Sequence, residues 1–247
     1  MQTCASLCDL AKTGKQIDRP DARFERIALP TPEIEVWQVP LDLRAEEIMQ
    51  CAKVLSRDEK LRADRFQFEH DRRRFIVARG KLRLLLGRRL DVAPSTIVFA
   101  YTKHGKPFVA GTTVQIHFNI SHSEERALYA MSRQCPLGVD IEYLNRDIDC
   151  QGLARRFFTR RESTALQHLP AASRKRAFLA CWTRKEAVIK ATGDGLSLPL
   201  DQVEVTVEPD AEPRILAATN LRIADWTLYA ADVGNDYVAT VAACRGT

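Results

Sequence analysis

Three patterns in the chain predict a mixed α/β (α+β) fold: one run of strict alternation, two long segments with helical spacing, and a closing pair of strands. From Val114 to Ser121, the apolar Val114, Ile116, Phe118 and Ile120 alternate with Gln115, His117, Asn119 and Ser121, the period of a half-buried strand. From Asp71 to Leu90, Phe75, Ala78, Leu82 and Leu85 keep helical spacing, which leaves Arg72, Arg79 and Arg83 to the flanks or the opposite face. A second long helix, Arg174 to Thr192, is stopped by Gly193 and Gly195. Trp226 to Ala231 and Tyr237 to Ala243 then pair through Gly234-Asn235.

The remaining elements fall between these. Residues 1–30 have little periodicity and carry breakers at Pro20 and Pro30, so they read as an extension without catalytic signal. Ile34 to Val39 alternates as a strand, and a helix follows around Ala45 to Leu55. After Pro94, Thr96 to Tyr101 is a strand and His104-Gly-Lys-Pro107 a turn. Arg126 to Ser132 returns from the alternating strand, and Cys135-Pro136 marks a boundary between two halves, 31–135 and 136–247. The second half opens on a strand from Gly138 to Glu142. Thr159-Arg-Arg-Glu162 is a capping-box pattern that starts a short helix, and Val203 to Val207 is a further strand.

Composition narrows the classes. At 247 residues, 45% hydrophobic and 28% charged, the chain has the make-up of a soluble protein, with no apolar run near the roughly 20 residues of a membrane span. Its N-terminus lacks a basic flank followed by an apolar stretch, so a cytoplasmic location without membrane association is expected. Seven scattered cysteines, odd in number and without a C-x-x-C pair, argue against a disulfide framework and a zinc site. The net charge of +5 is local: Arg57 to Arg89 holds 12 Lys/Arg and 5 Asp/Glu, or +7, so the rest of the chain sums to −2. Such a segment attracts nucleotide phosphates, an acidic protein or nucleic acid, although a charge run is also what a solvated helix face looks like.

Three short stretches carry chemistry together. In the strand Gly138 to Glu142, Asp140 and Glu142 share a face while Val139 and Ile141 turn to the core. In the helix, Trp182, Glu186 and Lys190 form one stripe at spacing four. Asp140, Glu142 and Glu186 are three hard oxygen donors suited to Mg²⁺, or alternatively Mn²⁺, and Lys190 adds a point charge for phosphate oxygens. Taken singly, Glu186–Lys190 could be a surface ion pair, Asp140 and Glu142 a charged strand face, and Ser121-His122 a polar strand end.

The segments Gly105-Lys-Pro107, Asn119-Ile-Ser-His-Ser123, Gly138-Val-Asp-Ile-Glu142 and Trp182-Thr-Arg-Lys-Glu-Ala-Val-Ile-Lys190 occur in the order seen in one family. From about Ile34 to the C-terminus the chain resembles the 4′-phosphopantetheinyl transferases, in their surfactin-synthetase-type branch. The resemblance implies a pseudo-two-fold pair of α/β halves with the active site between them. It also implies transfer of phosphopantetheine from coenzyme A, the co-substrate, to a serine of an acidic apo acyl or peptidyl carrier protein, with release of 3′,5′-ADP, by a monomer.

Residue by residue, it places the metal on Asp140, Glu142 and Glu186. It places coenzyme A against Arg62, Lys106, Pro107, Ser121, His122, Asp140, Glu186 and Lys190, with Arg62 at the 3′-phosphate and the Lys106-Pro107 turn at the adenosine. Glu186 is also the candidate acceptor of the serine proton, although a nearby cation and Lys190 would depress its pKa and weaken it as a base. The chain departs from the family outline in its N-terminal extension and in Glu59, which stands among the cations before Phe66. A Mg²⁺-dependent hydrolase of nucleotide diphosphates could use the same carboxylates. A nucleic-acid-binding module could use Arg57 to Arg89, but that segment lacks interleaved exposed aromatics and no nucleic-acid partner is expected.

Overall fold

The structure, a computed structural model, describes residues 24–193 and 198–245. Gly195, Cys4, Cys8 and most of the N-terminal extension therefore lie outside the described residues. Two antiparallel sheets organise the chain. The first has the order β1-β2-β6-β5, built from β1 (Glu25–Ile27), β2 (Ile34–Pro40), β5 (His117–Ser123) and β6 (Arg126–Ser132). The second has the order β10-β11-β7, from β7 (Leu137–Tyr143), β10 (Trp226–Ala230) and β11 (Tyr237–Cys244). Two hairpins sit apart from them, β3 (Val98–Tyr101) with β4 (Pro107–Ala110) and β8 (Val203–Val205) with β9 (Ile215–Ala218).

One core lies between the sheets, where Val36, Leu128 and Ala130 meet Leu137, Val139, Ile141, Ala239 and Val241. α3 (Glu69–Leu90) covers the first sheet with Val77, Leu82 and Leu86, which are fully buried. α6 (Ala171–Thr192) covers β7 and β11. Each such aliphatic side chain contributes about 1.5–3 kcal/mol of burial. Gly193, at φ 77°, ends α6 in the left-handed region that a Cβ disfavours. Smaller helices complete the fold: α1 (Ala45–Lys53), α2 (Arg57–Ala63), α4 (Cys150–Phe157) and α5 (Arg160–His168). The expected capping box opens α5, with Thr159 Oγ1 accepting from the Glu162 amide.

Several expectations are corrected. The segment 1–30 contains β1, whose three residues pair with β2 and are too few to show a period. The helix expected around 45–55 is α1, and a second helix that its spacing did not announce follows it, because Ser56 caps α2 and Glu59 accepts from the Ser56 amide. Arg83 does not lie on a solvated face: it is 1% exposed and donates to Glu59 and to the carbonyls of Pro94 and Ile97. Glu59 also accepts from Arg79 at 3.0 Å, so part of the basic segment is internal. Among the described residues, Cys51, Cys135, Cys150, Cys181 and Cys244 are free thiols, and no helix is long and apolar enough to cross a membrane.

Candidate active site

The two sheets meet where β5 runs beside β7. Among the described residues no backbone ladder joins these strands, and side chains of β5 make the connection. Asn119 Oδ1 accepts from the Val139 amide at 2.9 Å, Ser121 Oγ donates to Asp140 Oδ1 at 2.8 Å, and Ser123 Oγ donates to Glu142 Oε2 at 3.1 Å while accepting from the Tyr143 amide at 3.0 Å. The period of two puts all three polar groups on one face of β5 and His122 on the other. His122 is exposed.

α6 reaches the same place. Its last turn lies directly on β7, and the contact depends on Gly138: a Cβ there would fall 2.2 Å from the Ala187 carbonyl oxygen and 2.5 Å from the Ala191 amide nitrogen. Lys190 Nζ consequently sits 2.5 Å from Asp140 Oδ1 and donates to Ser121 Oγ at 3.1 Å. Lys106 arrives from the first half, but its ammonium does not point to open space. It donates to the carbonyls of Leu137, Lys190 and Ala191 at 3.0, 2.6 and 3.0 Å, a clamp on the C-terminal turn of α6. Burial pushes its pKa down to about 8, while the three carbonyls favour the protonated form.

Asp140, Glu142, Glu186 and Lys190 line one cavity of about 410 Å³ with Arg62, Ser121, His122 and Trp182. Glu186 and Lys190 also line a second, more apolar cavity of about 590 Å³ whose walls include Phe157, Ile189, Leu198, Leu200 and the turn from His104 to Pro107. The site is thus a pair of chambers with a common wall. Lys106 and Pro107 belong to the apolar chamber, and Ser121, His122 and Arg62 to the charged one. The Arg62 guanidinium stands over the Phe75 ring, 5.4 Å from its centroid. Glu59 is taken by Arg79 and Arg83, and Asp58 by the Ser56 hydroxyl, so neither ties Arg62 down.

Electrostatics sets the three carboxylates apart. Asp140 is 4% exposed, and its Oδ2 is buried with no hydrogen-bond partner. Burial raises the pKa of Glu142, the Asp140 charge adds to this, and Arg146 at 2.7 Å opposes it. Burial raises Glu186 as well, again with the Asp140 charge and against Lys190. The expected depression of Glu186 is therefore reversed in the protein alone, because burial, with the charges of Asp140 and Glu142, outweighs Lys190.

Among the described residues no three His, Cys, Asp or Glu side chains converge tightly enough to hold an ion as they stand. The chemistry of the donor set still fits a small hard cation: Asp140 keeps one buried carboxylate oxygen without a hydrogen-bond partner, and burial and mutual repulsion raise Glu142 and Glu186 despite Arg146 and Lys190.

Trp182 packs on Phe157, Phe158 and Phe178 at the edge of the core and also lines the charged chamber, as its place four residues before Glu186 on the same stripe allows. Phe178, 1% exposed, is core. Phe157, Leu198 and Leu200 carried no signal.

Comparison with known proteins gives the family. A family model described as 4′-phosphopantetheinyl transferase, N-terminal, matches residues 42–134, and one described as the 4′-phosphopantetheinyl transferase superfamily matches 136–242. The chain is 37% identical to the 4′-phosphopantetheinyl transferase HetI of Nostoc sp. over 218 residues, covering 87% of this chain and 90% of HetI. It is 31% identical to the 4′-phosphopantetheinyl transferase Sfp of Bacillus subtilis over 184 residues, covering 74% of this chain and 80% of Sfp. Among solved structures, the Thermotoga maritima holo-[acyl-carrier-protein] synthase aligns with a TM-score of 0.37 and 17% identity over 45% of this chain and 64% of that one. With relatives of this identity and coverage, the chain belongs to the 4′-phosphopantetheinyl transferase superfamily, in its Sfp-type branch.

Proposed function

We propose that the protein transfers 4′-phosphopantetheine from coenzyme A to a serine hydroxyl of an apo acyl or peptidyl carrier protein and releases 3′,5′-ADP. The observation that carries this reading is the common wall of the two chambers, where Glu186 and Lys190 stand between an apolar slot and a cavity lined by Asp140, Glu142, Arg62 and His122. An adenine base suits the apolar slot beside Lys106 and Pro107, and the phosphates suit the charged one.

In the reaction, the serine oxygen forms a bond to the pantetheine-side phosphorus, the bond from that phosphorus to the bridging oxygen breaks, and 3′,5′-ADP leaves with the electron pair. Asp140, Glu142 and Glu186 would hold Mg²⁺ or Mn²⁺. When bound, such a cation neutralises charge on the diphosphate oxygens. Lys190, positioned by Asp140 and Ser121, supplies a point charge for the same oxygens. Arg62 and His122 receive the 3′-phosphate at the open end of the charged chamber. Glu186, whose pKa burial raises in the protein alone, is the candidate acceptor of the serine proton.

Further parts of the proposal concern the whole chain. Residues 31–135 and 136–247 form a pseudo-two-fold pair after an extension at 1–30, and the protein works as a cytoplasmic monomer. The exposed cations Arg57, Lys60 and Arg65 face an acidic carrier. The nucleotide products test the reading. Incubation with coenzyme A and Mg²⁺ should release 3′,5′-ADP only when an apo carrier is added. Release at the same rate without carrier would identify a hydrolase and overturn the proposal.

A further inference from the structure

Ser123 lies outside the residues placed against coenzyme A or metal above, and it is 8% exposed. Its hydroxyl makes two bonds of different kinds across the joint between the sheets: it accepts from the Tyr143 amide at 3.0 Å and donates to Glu142 Oε2 at 3.1 Å. The first bond leaves the hydroxyl proton only the carboxylate to turn toward, so the backbone of β7 orients the group that orients Glu142. The other partner of Glu142 is Arg146, four residues along the same segment and 45% exposed, a contact that solvent weakens. Asn119 and Ser121 hold β7 at Val139 and Asp140, so Ser123 is the third fastening of the register that brings the carboxylates to one cavity.

We infer that Ser123 is a positioning residue that holds Glu142 ready for the divalent cation. The inference rests on the metal reading of the preceding subsection. Groups that orient a metal-binding carboxylate cost about 10- to 100-fold in metal affinity when removed. Loss of the hydroxyl should therefore weaken cation binding while leaving metal-independent binding of nucleotide intact.

The test measures Mn²⁺ binding by electron paramagnetic resonance for wild type, Ser123→Ala, Ser123→Thr and Ser123→Val, with the affinity for 3′,5′-ADP in EDTA as the parallel readout. Threonine and valine have nearly the same shape and differ in the hydroxyl, so this pair decides the matter even if the alanine variant fails to fold. The expected result is a Mn²⁺ dissociation constant raised about 10- to 100-fold in the valine and alanine variants. The threonine variant should stay near wild type, with 3′,5′-ADP binding unchanged throughout. Valine and threonine variants with equal Mn²⁺ affinity, against a wild type that binds the ion, would overturn the role of Ser123 alone. A wild type that binds no Mn²⁺ with or without coenzyme A would overturn the metal reading and the inference with it.

Discussion

Replacing Gly138 by alanine probes the close approach that builds the site. The added Cβ would lie 2.2 Å from the Ala187 carbonyl oxygen, 2.5 Å from the Ala191 amide nitrogen and 2.9 Å from the Lys190 carbonyl carbon. All three are helix backbone, so no flexible side chain can move aside. To restore ordinary van der Waals separation, the last turn of α6 must back away from β7 by about 1 Å against a close-packed core. Overpacking of this kind costs about 1–3 kcal/mol, which for a chain of this size corresponds to about 2–12 °C in Tm.

The displacement also opens the 2.5 Å contact between Lys190 and Asp140. Misplacement of a catalytic group by about 1 Å costs about 100-fold in rate. Gly152→Ala is the matched control. Its Cβ would meet the Asp149 carboxylate, a side chain that can rotate, at the cost of a helix cap worth about 1 kcal/mol, and Gly152 lines neither chamber. Initial rates of carrier modification by mass spectrometry and thermal unfolding by circular dichroism give the two readouts. A Gly138→Ala variant with the rate and Tm of wild type would refute the reasoning.

Other consequences can be checked independently. Glu59→Ala strands Arg79 and Arg83 without their buried partner and should cost about 3–5 kcal/mol in denaturant unfolding; a loss below about 1 kcal/mol, as for a surface pair, would return the cluster to that class. Glu142 and Glu186 bind protons more readily folded than at their usual pKa, so they lower the stability of the metal-free protein as pH rises from about 4.5 through their raised values. Saturating Mn²⁺ should accordingly raise Tm more at pH 8 than at pH 5, and equal increments would contradict the sign. Arg62→Ala should weaken coenzyme A by about 10- to 150-fold and dephospho-coenzyme A little, measured calorimetrically. Equal losses for the two ligands would remove Arg62 from the 3′-phosphate.

Much of the arrangement could be read from residue periods. Alternation alone puts Asp140 and Glu142 on one face with Val139 and Ile141 in the core, and spacing four puts Glu186 and Lys190 on one stripe. Tertiary burial of charge could not be read that way. Arg83 and Glu59 look like solvated members of a charge run, yet each is buried because the other neutralises it. Lys106 reads as part of a turn at the adenosine, and only the position of the α6 carbonyls shows where its ammonium goes. The joint between β5 and β7 is equally silent in sequence, since Asn119, Ser121 and Ser123 read as the polar half of an alternating strand whichever way that half faces. Cys150–Phe157, a helix of eight residues, is too short for its period to stand out.

The central claim is that this site moves phosphopantetheine onto a carrier serine with the help of its three carboxylates. The direct measurement is the mass of an apo carrier domain after incubation with the protein, coenzyme A and Mg²⁺, followed by peptide mapping of the modified residue. One phosphopantetheine on a single serine is expected, lost in excess EDTA and reduced by orders of magnitude in Asp140→Ala and Glu186→Ala. Full modification in EDTA, or by either variant, would contradict the account of the site, and no mass gain across acyl and peptidyl carriers would contradict the function.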